Sequence, residues 1–187
     1  MVSRKSIYFC EILPLWFMAH NLLLNGEVIS SIEQGLCVLI GISTNDTIKD
    51  MEYIVKKLLS VKLFDDETNT KWKKTVVDKD YELLCVSQFT LYNTWKGNRP
   101  DFHNAMSAEK SKEFYEKFLQ MLKDSYQPEK IKDGQFGAYM QVSIQNDGPV
   151  TFEIESPINV KKEKSRSRAE QEVPQVNLSE LEEELKG

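Results

Sequence analysis

Two apolar runs constrain this chain most. Gly35-Leu36-Cys37-Val38-Leu39-Ile40-Gly41-Ile42 is continuous and sits between turn signals, so it reads as a buried strand. Tyr81-Glu82-Leu83-Leu84-Cys85-Val86-Ser87-Gln88-Phe89-Thr90-Leu91 reads as a central strand. Between them, residues 46–63 carry Ile48, Met51, Val55, Leu58 and Leu59 at helical spacing after a possible Asn45 cap. A second amphipathic helix is predicted over 107–123, with Phe114, Phe118, Met121 and Leu122 on one face. Residues 138–145 and 150–155 read as strands on either side of a turn at Asn146-Asp147-Gly148-Pro149. There is no internal repeat. The pattern predicts a mixed α/β fold in one domain with two main helices.

The ends differ from this middle. Residues 157–187 hold no aromatic residue and 13 charged ones, and such a segment cannot offset its chain entropy by apolar burial. It reads as a disordered or weakly helical tail, with a basic tract at 161–168 and acidic residues after it. Residues 1–20 are strongly apolar behind Arg4 and Lys5, but Glu11 and Pro14 interrupt them and no clear cleavage site follows. They are too short and broken to span a membrane. Three readings stand: a buried strand or irregular segment, a targeting segment, or an alternative start or gene-model artefact. The expected organisation is therefore an atypical segment at 1–20, a domain at 21–156 and a charged tail at 157–187.

Composition excludes several chemistries. The net charge of −5 disfavours broad, sequence-blind coating of DNA, though it allows a local basic patch. Three cysteines with no C-x-x-C suggest a reduced, cytoplasmic chain without a disulfide framework or zinc knuckle. The only histidines are His20 and His103, too isolated for a metal site or an obvious triad. No phosphate-binding glycine loop, G-x-S-x-G elbow or H-E-x-x-H occurs. No metal and no cofactor is expected. A hydrolase built from this chain would not run on a conventional side-chain base.

Three places break local rules. Ser87, Gln88 and Thr90 put polar side chains at the end of an apolar strand, where they need partners or cost free energy. They are either a strand end turning to the surface or a site with hydroxyls and backbone N–H groups aimed at a substrate oxygen. Asn146-Asp147-Gly148-Pro149-Val150-Thr151 is either an ordinary hairpin turn or a stiff element, since a Gly-Pro peptide is open to the cis form at modest cost. Lys71, Lys73 and Lys74 flank Trp72, and Lys96 and Arg99 follow Trp95. These are solvated loop charges or a surface for phosphates and unpaired bases.

Taken together, Val86-Ser87-Gln88-Phe89-Thr90-Leu91, Lys96-Gly97-Asn98-Arg99-Pro100-Asp101-Phe102, Phe136-Gly137-Ala138-Tyr139-Met140-Gln141-Val142 and Asn146-Asp147-Gly148-Pro149-Val150-Thr151 resemble the D-aminoacyl-tRNA deacylase family, of the D-tyrosyl-tRNA type. The resemblance covers about residues 21–156. It implies a compact single α/β domain with curved mixed and antiparallel sheets, in a cytoplasmic homodimer acting on aminoacyl-tRNA, with no membrane attachment, that hydrolyses the ester of a D-amino acid on the terminal adenosine. Ser87, Gln88, Phe89 and Thr90 would form the catalytic floor, with the N–H groups of Phe89 and Thr90 as an oxyanion hole. Thr90 is an older nucleophile candidate in the family, and the terminal ribose 2′-hydroxyl the favoured assistant. Gly148 and Pro149, inserted from the partner subunit, would select chirality. Phe136 and Met140 would lie near the adenosine, and Lys96 and Arg99 would contact tRNA. Residues 1–18 depart from the family pattern, which usually starts directly with a strand. The alternative is a catalytically impaired tRNA- or DNA-binding module on the same fold.

Overall fold

The computed structural model describes residues 6–11, 20–145 and 150–157. Ten strands and two helices of more than one turn make up these residues. The largest sheet is mixed. Its order is β10 (Val150–Glu155), β1 (Ser6–Glu11), β4 (Gly35–Ile40), β5 (Glu82–Ser87), β8 (Ile131–Asp133). β1 runs antiparallel to both neighbours, while β4–β5 and β5–β8 are parallel. A second sheet is antiparallel, in the order β3 (Glu27–Ile32), β2 (His20–Leu24), β9 (Gln141–Ser143). β6 (Thr94–Lys96) and β7 (Arg99–Asp101) form a separate two-stranded hairpin.

The parallel pairs require crossovers, and helices supply them. α1 (Ile48–Ser60) links β4 to β5, and α2 (Ala108–Ser125) precedes β8. Alternation along the central strands then builds two cores. Leu36, Val38 and Ile40 of β4 and Leu83 and Cys85 of β5 pack under the helices, against Met51, Leu58, Phe118 and Leu122. Leu84 and Val86 point the other way and meet Leu22 and Ile32 of the small sheet, with Leu39 and Met140 alongside. The molecule is thus layered as helices, main sheet, small sheet.

Three local expectations change. The cap of α1 is Thr47, not Asn45: the Asp50 carboxylate accepts from the Thr47 N–H (2.9 Å) and hydroxyl (2.7 Å). A carboxylate three residues into the helix ties the first turn to its cap. The central strand stops at Ser87 rather than Leu91. Gln88 still donates to the Ile40 carbonyl (2.8 Å), and the chain then winds into a 3-10 turn, Phe89–Tyr92. The reason is Tyr92, which turns inward and is buried over Gly41. A Cβ at Gly41 would lie 3.0 Å from both Leu91 Cβ and the Tyr92 ring, so a larger residue there would push them back by a few tenths of an ångström. The strands before and after 146–149 do not pair as a hairpin: β9 joins β2 in the small sheet and β10 joins β1 in the main sheet. Within the first 20 residues Ser6–Glu11 forms β1, whose backbone pairs with β10 on one side and β4 on the other. The tail beyond residue 157 lies outside the described residues.

Candidate active site

The polar end of β5 opens into a cleft of about 770 Å³. Its floor is Ser87, Gln88 and Phe89. One wall is Phe102 with residues 105–108 and Ser111; the other is residues 136–140. The predicted floor and the predicted adenosine pocket, Phe136 and Met140, therefore share one cavity. They come from segments nearly fifty residues apart in the chain.

Each wall is held by packing behind it. Phe89 meets Phe102 edge to face, with ring centroids 5.0 Å apart. Phe136 leans on Tyr115 at 5.7 Å. Tyr115 is buried and donates to the Cys85 carbonyl (3.0 Å), and burial pushes its phenol well above the ordinary range. Met140 folds back so that its sulfur accepts from the Gln135 N–H at 3.3 Å. Gly134 leaves room for this: a Cβ there would lie 2.7 Å from the Met140 sulfur and 2.9 Å from Leu22 Cδ1.

The floor carries donors and no base. The first hydrogen bond of the 3-10 turn runs from the Leu91 N–H to the Gln88 carbonyl (3.3 Å), so the N–H groups of Phe89 and Thr90 precede it. They are free of the turn's own ladder and suit a developing oxyanion. Thr90 Oγ1 lies 2.5 Å from Gln88 Nε2. An amide is not a base in either orientation, so this contact does not activate the hydroxyl as a nucleophile. Thr90 itself is not among the residues that line the cleft.

His103 offers no base to the floor either. Its N–H and ring Nδ1 both meet Asp101 Oδ1, at 2.9 and 2.7 Å. The other oxygen of Asp101 is paired with Lys96. The Lys96 ammonium, then the His103 backbone and ring, hold the Asp101 carboxyl well below the usual carboxylate range. Lys96 thus braces the β6–β7 hairpin, while Arg99 stands exposed with no ion-pair partner among the described residues. Trp72 packs against Phe152 (5.7 Å) on β10, so the Lys71–Lys74 group does not join the cleft. Gly148 and Pro149 lie outside the described residues.

The sequence reading missed the α2 wall. Ser107 and Ser111, one turn apart at the start of an amphipathic helix, are the available signal. Ser107 makes no side-chain cap, so the first N–H groups of α2 and the helix dipole remain available at the cleft's edge. Among the described residues no group of three or more His, Cys, Asp or Glu is placed to hold a metal ion.

The model of the D-Tyr-tRNA(Tyr) deacylase family matches residues 19–155. The chain belongs to that family. D-aminoacyl-tRNA deacylase 1 of Homo sapiens is 59% identical over 132 residues, 71% of this chain and 63% of that protein. D-aminoacyl-tRNA deacylase of Drosophila melanogaster is 58% identical over 131 residues, 70% of this chain and 82% of that protein. The chain thus spans about 63% of the length of the vertebrate relatives it matches. A solved structure named c-Myc DNA Unwinding Element Binding Protein superposes with a TM-score of 0.76 at 51% identity, covering 81% of this chain and 99% of that one. The α/β expectation with two main helices holds. No helix among the described residues is long and apolar enough to cross a membrane.

Proposed function

We propose that this chain hydrolyses the ester between a D-amino acid and the 3′-terminal adenosine of tRNA, releasing the free amino acid and tRNA. One observation carries the reading. A floor of Ser87, Gln88 and Phe89, rich in donors and free of bases, shares a cleft with Phe136 and Met140 in a member of this family. An aminoacyl ester is already activated, so positioning and oxyanion stabilisation suffice without a histidine. Water attacks the ester carbonyl, assisted by the ribose 2′-hydroxyl of the substrate. The negative charge that develops on the carbonyl oxygen is met by the N–H groups of Phe89 and Thr90. The tetrahedral adduct then expels the ribose 3′-oxygen, which takes a proton. Phe136 and Met140 hold the adenosine, and Arg99, with Lys96 beside it, faces phosphate.

Selectivity rests on a homodimer, in which Gly148 and Pro149 of each protomer close the partner's cleft. D- and L-amino acids carry the same groups, so a rigid wall at one face of Cα is what separates them. Such a wall excludes an L side chain and tolerates many D side chains. Glycine offers nothing to exclude, so glycyl-tRNA is cleaved in part. The setting is cytoplasmic, and the charged tail is dispensable for the chemistry.

The test is a time course on matched D-tyrosyl-tRNA and L-tyrosyl-tRNA with the purified chain. Rapid loss of the D-ester alone is expected. Survival of both esters, with tRNA bound, would replace this reading with a binding module, as the name of the 51% identical solved structure suggests for that protein. Complete inertness towards glycyl-tRNA would remove the steric wall while leaving the hydrolase.

A further inference from the structure

We propose that Trp95 is a stacking platform for the unpaired nucleotides next to the terminal adenosine, and so a specificity residue for the RNA part of the substrate. The inference rests on the deacylase reading for the identity of that RNA. Trp95 is 70% exposed on β6, and an indole this open gains little from the fold itself. Its position is fixed all the same. β6 and β7 pair as Thr94 with Asp101, Trp95 with Pro100 and Lys96 with Arg99. Gly97 takes φ +61° at the tip, where the two strands join. The Thr94 hydroxyl donates to the Asp101 carbonyl (3.3 Å), and the Asp101 carboxylate is tied to Lys96 and His103.

Placement argues for a nucleic acid. Both ends of the hairpin run into the cleft. Its first strand follows the 3-10 turn that begins at Phe89, and its second leads into Phe102, which packs edge to face on Phe89. A molecule seated on the floor and leaving the cleft on this side meets the hairpin next. Strand residues advance about 3.4 Å each, so Trp95 stands roughly one residue above the root pair Thr94–Asp101. Successive stacked nucleotides rise by about 3.4 Å as well, so Trp95 meets a nucleotide just beyond the cleft. Side chains alternate along the strand, so Trp95 shares one hairpin face with Pro100, while Thr94, Lys96, Arg99 and Asp101 share the other. The Trp95 face lies clear of the Lys96–Asp101 pair, and its flat aromatic surface suits an unpaired base.

The experiment compares Trp95→Ala and Trp95→Phe on D-tyrosyl-tRNA and on D-tyrosyl-adenosine, which carries the same ester without the preceding nucleotides. Trp95→Ala is expected to raise KM for the tRNA about tenfold with kcat within twofold, and Trp95→Phe to restore most of the loss. Neither variant should change hydrolysis of the nucleoside ester. An unchanged KM for tRNA overturns the proposal, and so does an equal loss on both substrates, which would mean a structural role. A second readout is independent of chemistry. The single-stranded tetranucleotide ACCA should quench tryptophan fluorescence in the parent chain and not in Trp95→Phe. Quenching without hydrolysis would sink the deacylase reading and keep Trp95; hydrolysis without quenching would do the reverse.

Discussion

The two faces of the main sheet are built to different standards. The helix side buries a continuous core from β4, β5, α1 and α2, with Phe64, Leu58, Leu83 and Leu122 fully enclosed. Among the described residues the small-sheet side is closed by four buried apolar residues, Leu22, Ile32, Leu84 and Val86, with Leu39 and Met140 half-covered beside them. Met140 belongs to both the thin core and the cleft wall. Stability is thus concentrated on one face and site geometry on the other. A substitution in the thick core should change how much protein is folded. One in the thin core should change what the folded protein does.

A pair of matched truncations gives the largest effect. Leu122→Ala and Leu22→Ala each empty a fully buried leucine site, and each should cost about 2–5 kcal/mol in urea unfolding. Their kinetics should separate. Leu122→Ala leaves KM of the folded fraction unchanged, because nothing on α2 beyond its first turns lines the cleft. Leu22→Ala raises KM several-fold, because it removes the support behind Gly134 and Met140. Equal KM values for the two variants would break the division of labour between the faces.

Gly134→Ala sharpens the same comparison at smaller cost. The new methyl would meet the ends of two side chains, Met140 and Leu22, rather than backbone, so both can shift. A loss of roughly 1–3 kcal/mol is expected from overpacking. The displaced Met140 should weaken binding of the terminal adenosine at least as much as Leu22→Ala does. Adding Met140→Ala to Gly134→Ala should recover stability and not affinity, which unfolding and inhibition by adenosine would read separately.

The thick core was the legible one. Its strands and helices have strong periodicity: 35–40 and 82–87 lie inside the runs read as strands, 35–42 and 81–91, and 108–125 overlaps the helix predicted over 107–123. The cap at Thr47 was also readable, from Thr47-Ile48-Lys49-Asp50, since a carboxylate three residues past a threonine marks a helix start. The thin side was harder. β2 and β3 meet at Asn25-Gly26, both with positive φ, which is a hairpin signal inside a stretch with little periodicity. β9 has only three residues and pairs with β2, over a hundred residues earlier. Local pattern carries no information on such a partner. The floor was legible as residue types but not as shape. Alternation continues through Leu91 in the sequence, whereas burial of Tyr92 against Gly41 winds the chain at Phe89. What the sequence offers of the candidate site is a set of groups, polar side chains and N–H donors with no base beside them, both visible without coordinates.

The smallest expected effect tests the thin side through pH. His20 begins β2 and is fully buried. Burial pushes its imidazole below the ordinary value, an effect the Ser143 backbone on β9 partly offsets. The folded state therefore prefers the neutral ring more than the unfolded chain does. Its contribution is complete above the unfolded value, about 6.5, and is lost as pH falls from there towards the lower folded value. The urea midpoint should accordingly drop between pH 7.5 and 5.5. Asp101, held low by Lys96 and His103, keeps its charge across that window and should not contribute to the drop. His20→Leu has no proton to bind, so its midpoint should fall less over the same interval. Its KM should also lose the acid-side rise expected in the parent chain, since β2 holds β9 and Leu22 behind the cleft wall. Identical pH profiles for parent and variant would mean that the ring is not held neutral by the fold. The thin face would then tolerate a charge at its edge, and the contrast between the two cores would be one of size alone.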